Sequence, residues 1–531
     1  MRVLGINAVF HDPAAAVVVD GKIVAAAEEE RFSRRKHGKR PVPFSAWEQP
    51  ELSARWCLEQ AGLSASDLDA VAYSYDPSLV DAEYAPWEDL RTTYARKAPQ
   101  FLATSLPGLD PEIVRFVPHH VAHAASTGLA APFGGNCAVL VSDGRGECGS
   151  HLAGRYVDQE LTTFASQRLP HSLGLMYEEL TEHLGFLRSS DEYKVMALAS
   201  HAKPVHLDLM REHVLVHDGG FEIRPLDWNS LAKQRKKDDE LTQEHAELAA
   251  SVQVRLEEVL LELVRWLHDR TGEQRLTMAG GVALNCVANT RIFAEGPFDE
   301  VWVQPAAGDA GTALGAALAI SSDRVEAMPG ADLGRGFSDE EIESVLRTAA
   351  VPFEKPADVA VEVAEALAAN RIVAWFQGRS EYGPRALGRR SLFANPCFAE
   401  NLTRLNDVKG REQFRPVAPM VLAERAAAIF SRGPIPSPYM LFVHDVRPEW
   451  TERIPAVVHV DGTARAQTVA GDPLLERMLR EFEARTGVPV VVNTSLNTAG
   501  RPMVDSPRDA LECFGSSPID LLAIGPYVVR R

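Results

Sequence analysis

The sequence predicts an α/β protein of two or more domains, and three observations carry that prediction. At 531 residues the chain is longer than one hydrophobic core usually serves. A buried strand, a polar loop and a hairpin follow one another twice before residue 170. Beyond residue 357 a helix, a strand and loops dense in Gly and Arg begin a pattern of their own, which reads as a separate mixed α and β domain.

Taken in order, VLGIN (3–7) reads as a strand. AAAVVVDGKIVAAAEEE reads as two strands joined at Asp20–Gly21, since Asp-Gly between apolar runs is a strong hairpin signal. A helix ends at QAGL, and VRFVPHHVAHAAST runs from a strand into a helix. CAVLVSDG (137–144) is again a buried strand ending in a polar turn, and GSHLAGRYVDQELTTFASQRL again a hairpin, with its turn near Asp158. The opening therefore occurs twice, each copy followed by helical stretches. That points to a duplicated actin-like (ribonuclease H-like) ATPase architecture, in which two halves face one nucleotide cleft.

Leu248, Val252, Leu256, Val259, Leu263 and Leu267 recur at threes and fours, predicting a long amphipathic core helix ended at Thr271–Gly272. From 321 to 357 the Pro, Gly and acidic content reads as a connecting region with one helix capped near Ser338. The second domain then shows a helix at 357–369, a strand at IVAWF, another in VPVVVNTSLN and a helix from Pro507. The expected division is residues 1–325, a connector at 326–356, and residues 357–531.

An apolar fraction of 46% with 24% charged residues is ordinary for a globular chain. The formal net charge of -18 argues against a general binder of nucleic acid or anionic membranes, because those partners require a positive field over the whole binding face. Anionic ligands must then be met by local patches. The six cysteines are scattered without a C-x-x-C pair, which suggests neither a disulfide framework nor a zinc ribbon and fits a reducing cytosol. The N-terminus lacks the features of a signal peptide, and no apolar run approaches a membrane span. The expectation is a cytoplasmic protein.

Four constellations carry chemistry. In PHHVAHA, His119 and His123 lie four apart on a helix and leave the same face. Alone, such a pair is more often a surface or satisfied-core pair. Asp143 and Asp309, each in a strand-to-turn or Gly-rich setting, would complete a mononuclear site for Fe(II), Mn or Zn, against a turn-stabilising role for each aspartate. AGGVALNCVAN and GDAGTALGAAL are glycine-rich turns entering small-residue helices, so they suit either backbone contacts to phosphates or tight helix packing. GRSEYGPRALGRRS, VKGREQFRPVAP, DGTARAQT and VNTSLNTAGRP set basic and amide groups among Gly and Pro, which suggests a pocket for a polyanionic small molecule over ordinary surface ion pairs. RFSRRKHGKR (31–40) packs six Lys and Arg and one His into ten positions. A nucleic-acid arm, a localisation signal and a solvated helix end compete with a phosphate-binding loop there.

With FHDPAAA, EEERFSRRKHG, PHSLG, DEYKVMALA, HVDGTARAQTV and NTSLN added to these strings, the chain resembles the O-carbamoyltransferases of nodulation-factor and antibiotic biosynthesis, the group that includes the nebramycin-forming enzyme. The likeness runs from residue 1 to the end. It implies an N-terminal domain like the ATPase that makes threonylcarbamoyladenosine in tRNA, joined to a C-terminal YrdC-like domain. It further implies ATP and carbamoyl phosphate as substrates, a carbamoyl-adenylate made at the YrdC-like site, and transfer of its carbamoyl group to a hydroxyl of a small natural product in secondary metabolism.

Carried over by motif, His119, His123, Asp143 and Asp309 match a metal site, with Fe(II) taken from the family. His11 and Lys36 match catalytic positions, and Asp12, Gly280, Gly281 and Asn285 match nucleotide contacts. Arg385, Lys409, Arg415, Arg465, Asn493 and Ser495 would hold carbamoyl phosphate and the adenylate. His11, expected near neutral, would take the proton of the acceptor alcohol while the metal or Lys36 polarises the carbonyl or the departing phosphate. The basic run at 31–40 then reads as a loop after the hairpin that supplies Lys36. One departure is Arg501 in NTAGRP, where relatives commonly have an acid. Trp47, Trp87 and Tyr94 are candidates to line the acceptor pocket, or core. The alternatives are a tRNA-modifying carbamoyl-adenylate enzyme, disfavoured by the net charge, and an actin-like small-molecule kinase, which leaves the arginine-rich domain unexplained. A homodimer is the expected assembly.

Overall fold

The computed structural model describes residues 1–38, 48–80, 86–498 and 500–531, the side chains of 86–88 excepted. The chain divides into two compact units, Met1–Gly330 and Ala331–Arg531.

The first unit contains the predicted duplication. β1 (Arg2–Asn7), β2 (Ala14–Val19), β3 (Lys22–Glu28), β4 (Ala70–Tyr73) and β5 (Val114–Phe116) form one sheet in the order β3-β2-β1-β4-β5. β6 (Cys137–Ser142), β7 (Gly149–Val157) and β8 (Glu160–Arg168) join β11 (Arg275–Ala279) and β12 (Glu300–Val303) in a second, ordered β12-β11-β6-β7-β8. A small hairpin, β9 (Val214–His217) with β10 (Gly220–Ile223), lies between β8 and β11 in the chain. In each large sheet the first strand pairs antiparallel with a hairpin and parallel with the next long-range strand. The two sheets thus repeat one topology, the duplicated actin-like arrangement. Both hairpins close through residues in the left-handed region, Asp20 (φ 50) with Gly21 (φ 77) and Asp158 (φ 49) with Gln159 (φ 71), as two-residue primed turns require.

The predicted long helix runs Gln243–Thr271 and ends at Gly272 in the left-handed region, φ 67. Its apolar stripe is buried, Leu248, Val252, Val259 and Leu267 among it. The helices His119–Gly128 and Ala310–Ile320 pack against each other, and the second also lies on β1. That contact is close because of glycine: a Cβ on Gly315 would stand 1.8 Å from the Ala122 carbonyl oxygen. The small-residue composition of GDAGTALGAAL therefore serves helix packing, one of the two readings left open above.

The second unit is built on a seven-stranded mixed sheet. In chain order its strands are β13 (Val373–Phe376), β14 (Arg390–Ala394), β15 (Ala418–Leu422), β19 (Gln467–Val469), β20 (Val490–Ser495), β21 (Leu521–Ile524) and β22 (Tyr527–Arg530), arranged β19-β15-β20-β14-β13-β21-β22. β16 (Phe430–Ser431), β17 (His444–Val446) and β18 (Thr463–Ala464) form a small sheet of their own. Trp375, Phe393 and Phe482 are among its fully buried core residues. Residues 331–356, read above as part of a connector, pack into this unit: Ile342 and Leu346 join its core, and Arg335 pairs with the buried Asp505. Ser338 caps the helix Asp339–Thr348 in a reciprocal box with Glu341.

Candidate active site

The chemistry of the first unit gathers at the N-terminus of the helix His119–Gly128. Pro118 precedes that helix, and the carboxylate of Glu147 accepts the His119 backbone N–H at 2.8 Å and that of Asp76 at 2.7 Å, placing an anion where the helix dipole favours one. His119 Nδ1 donates to the Ser74 carbonyl at 3.1 Å, which orients the ring and turns Nε2 toward the centre. Nε2 faces Asp143 Oδ2 at 3.4 Å and Asp309 Oδ1 at 3.6 Å. His123 Nε2, one turn on, faces the same two oxygens at 3.7 and 3.6 Å. One ligand atom from each of the four residues lies within 4.8 Å of the others.

Those separations are too long for hydrogen bonds. They match two ligand atoms sharing one ion, which at bonds of about 2.1 Å and tetrahedral angles stand ~3.4 Å apart. His119 Nε2 and both His123 nitrogens are sealed from water with no hydrogen-bond partner among the described residues. Two imidazoles and two carboxylates in that state fit a divalent cation of the Fe(II), Mn or Zn type. Burial works against charge on both aspartates, and Asp143 also on that of Asp309, yet the histidines hold Asp143 well below the usual carboxylate range and pull Asp309 down as well. Burial pushes the His123 imidazole down.

The glycine turns hold this centre in place. Gly280, at φ 92, passes so close to β6 that a Cβ would stand 2.1 Å from the Ser142 carbonyl oxygen. Its N–H goes to the Ala307 carbonyl, and the Gly281 N–H to Asp143 Oδ1 at 2.9 Å. Asn285 Oδ1 caps Ala288 N, and its amide bonds Gln253. The N–H groups of Gly280 and Gly281 and the side chain of Asn285, expected near nucleotide, thus have partners within the protein, Gly281 on Asp143.

A second cluster lies on the loop after β1. Asp12 (φ 46) accepts from His11 Nδ1 and from His37 Nδ1, both at 2.9 Å, and the two rings stack with centroids 4.4 Å apart. His37 Nε2 reaches the Ser190 hydroxyl at 2.9 Å, linking the two halves of the unit. Burial alone would lower His11, but the Asp12 carboxylate lifts it to about 9. Against the expectation of a neutral His11, the Asp12 carboxylate thus favours the imidazolium. Lys36 is half-buried in the turn before His37, while Arg35 is exposed. Lys39, Arg40 and Trp47 lie outside the described residues, as does the side chain of Trp87. Tyr94 is buried, its hydroxyl accepting from Gln49 at 2.6 Å.

Asn7, Ser74 and Thr312 tie the two clusters together. The Asn7 amide holds the carbonyls of His11 and Asp12, the Ser74 hydroxyl donates to Asn7 Oδ1, and the Thr312 hydroxyl donates to Ser74. Sequence reasoning missed all three, together with His37 and Glu147. Only the single polar residue ending the apolar strand VLGIN marked any of them.

In the second unit the loop from Gly378 to Arg390 carries Arg385. Buried Glu381 gathers the backbone N–H groups of Leu387, Arg389 and Arg390 on one carboxylate oxygen. Asn493, on β20, donates to the Ala386 carbonyl at 3.0 Å and to Gln467 at 2.7 Å; Gln467 in turn donates to the Leu387 carbonyl. Lys409 bonds Ser495 Oγ at 3.0 Å and also reaches Asn497. Arg465 lies two residues before Gln467, and Arg415 three before β15, paired with Glu412 at 3.4 Å. Of the six expected residues, Lys409 thus meets Ser495 at the end of β20, and Asn493 on the same strand bonds the backbone next to Arg385. Arg465 Nε and Asn493 Oδ1 are buried without a hydrogen-bond partner among the described residues. Arg501 is exposed in the turn after Asn497.

Comparison with known proteins bears on both units. The family profile for the carbamoyltransferase N-terminus matches residues 2–110 and 106–318, and that for the carbamoyltransferase C-terminus matches 364–531. Nodulation protein NolNO of Sinorhizobium fredii is 38% identical, over 99% of this chain and 80% of its own length. Nodulation protein U of Rhizobium tropici is 31% identical, over 94% and 92%. An uncharacterized protein of Synechocystis is 37% identical, over 100% and 97%. Among solved structures, component A of the Acidaminococcus fermentans (R)-2-hydroxyglutaryl-CoA dehydratase covers 60% of this chain and 96% of its own at 14% identity and a TM-score of 0.32. Among the described residues no helix is long and apolar enough to cross a membrane. With the family's two profiles spanning its two units and nodulation proteins aligned along nearly its whole length, the chain belongs to the carbamoyltransferase family and is an enzyme of that class.

Proposed function

We propose that the protein is an ATP-dependent O-carbamoyltransferase that makes carbamoyl-adenylate in its second unit, a YrdC-like domain, and transfers the carbamoyl group in its first to a hydroxyl of a small natural product. Carbamoyl phosphate and water give carbamate and phosphate; carbamate and ATP give carbamoyl-adenylate and pyrophosphate. In the transfer the alcohol O–H bond and the bond from carbonyl carbon to phosphate oxygen break, the new ester bond forms, and the proton leaves with AMP.

The observation that carries this reading is the His119, His123, Asp143, Asp309 set, three buried and Asp309 partly so, four ligand atoms within 4.8 Å in a family of carbamoyltransferases. A divalent cation held there would supply Lewis acidity toward carbonyl or phosphate oxygen. The chain's own groups do the rest. His11, held as a cation by Asp12, neutralises the phosphate of the departing AMP, with Lys36 as a further cation from the neighbouring turn. In the second unit Arg385, Arg465 and Lys409 offset the charge of carbamoyl phosphate and the ATP phosphates, with Asn493 and Ser495 as neutral hydrogen-bonding partners. The acidic surface of the chain leaves these anions to the local sites. Enzyme acting on a small molecule in the cytoplasm, as a homodimer, is the setting we assign to this activity.

The test is pyrophosphate release from ATP that depends on carbamoyl phosphate, followed by mass-spectrometric screening of hydroxylated natural products for the gain of one carbamoyl unit. Absence of carbamoyl-phosphate-dependent release with every acceptor would overturn the reading.

A further inference from the structure

We propose that His120, the middle histidine of PHHVAHA, is a positioning residue of the His–Asp centre, its Nε2 set 3.7 Å from Asp143 Oδ2 so that it donates to that carboxylate once a divalent cation is held there. The inference rests on reading the centre as a metal site.

His120 follows His119 by one residue, so on an isolated helix its side chain would leave about 100° around the axis from that of His119. The chain between β6 and β7 turns it to use. Gly146 N donates to Gly149 O at 2.8 Å, closing a tight turn, and the His120 ring lies against both glycines. A Cβ on Gly146 would stand 2.9 Å from His120 Cε1, and one on Gly149 3.3 Å from Nδ1. The imidazole is held by backbone on that side.

Nε2 lies 3.7 Å from Asp143 Oδ2 and is sealed from water with no hydrogen bond among the described residues. Most buried polar atoms have a partner, and Asp143 is the acid within reach. His119 and His123 approach both aspartates, whereas His120 approaches only Asp143; no contact within 4.0 Å joins it to Asp309 among the described residues. His120 therefore stands outside the set of four ligands, on the Asp143 side. The other oxygen of Asp143 is already committed to Gly281 N–H at 2.9 Å. Oδ2 has two lone-pair directions, one for a cation and one for a donor, and His120 is placed for the second. Carboxylates that bind metals are themselves hydrogen-bonded, and such outer partners tune affinity.

The test uses the full chain, stripped with a chelator and titrated with Mn(II), the free ion followed by electron paramagnetic resonance. His120→Ala is expected to weaken binding by ~10–100-fold. His120→Gln, which carries an N–H at the position of Nε2, is expected to restore most of the affinity. Should His120→Ala fail to fold, His120→Asn serves instead, because its amide ends near the Nδ1 position and falls short of Asp143; it too should bind weakly. Binding by His120→Ala or His120→Asn equal to that of the wild type would overturn the proposal, and so would a loss in His120→Gln as large as in His120→Ala. His123→Ala is the control for the premise: if it leaves Mn(II) affinity unchanged, the metal reading itself fails, a result independent of the His120 series.

Discussion

Asp12 is shared by two imidazoles, and its carboxylate sets the charge of the loop. His11 is raised from its ordinary 6.5 to about 9, so its ion pair contributes stability that is fully present below pH 6.5 and is lost as pH rises through about 9. Chemical denaturation across this range should show wild-type stability falling toward pH 9. Asp12→Asn should lack that slope. If His11 acts as a cation toward AMP phosphate, carbamoyl transfer also falls above about pH 9, and in Asp12→Asn that limb moves toward pH 6.5. Activity that rises through the same range would contradict the assignment and restore His11 as the base.

Residues were legible where spacing alone made them meet. His119 and His123 share a helix face, so their convergence follows from periodicity. Asp143 and Asp309 stood at strand-to-turn or Gly-rich positions, which limits where a carboxylate can point. His37 and Glu147 were not legible. Their roles depend on loops 25 residues from Asp12 and 28 from His119, and no local pattern encodes such contacts.

Helix Ala310–Ile320 brings Asp309 to the histidines by riding close on helix His119–Gly128, and Gly315 permits that approach. Gly315→Ala puts a methyl 1.8 Å from the Ala122 carbonyl oxygen, so the helices must part. Overpacking of this kind costs about 1–3 kcal/mol. Denaturant titration should show that loss, and metal affinity should drop with it. Ser338→Ala, which removes the cap of Asp339–Thr348 in the second unit, should cost about 0.5–2 kcal/mol of stability without changing metal affinity. At this scale the sequence was highly readable: Asp20–Gly21 and Asp158 marked both hairpins, and Thr271–Gly272 the end of the long helix. The function of the glycine-rich helices was not, because Gly serves phosphate contact and close packing through the same lack of a Cβ.

The proposed function assigns the chain two sites of different character, a His–Asp centre within Met1–Gly330 and an arginine-rich set of loops within Ala331–Arg531. The repeated topology of the first unit was visible in advance because each copy opens with the same strand and hairpin. The seven-stranded sheet of the second was not, since its order depends on strand pairings far apart in sequence, such as β14 with β20. Removing metal with a chelator should stop carbamoyl transfer while leaving carbamoyl-phosphate-dependent pyrophosphate release in place; loss of both together would argue against separate chemistries. The division of labour is tested most directly by mass spectrometry of reactions with ATP and carbamoyl phosphate, comparing His123→Ala with Arg465→Ala. The account predicts that His123→Ala accumulates carbamoyl-adenylate and that Arg465→Ala forms none. Carbamoyl-adenylate from Arg465→Ala at the wild-type level, or none from His123→Ala, would contradict it.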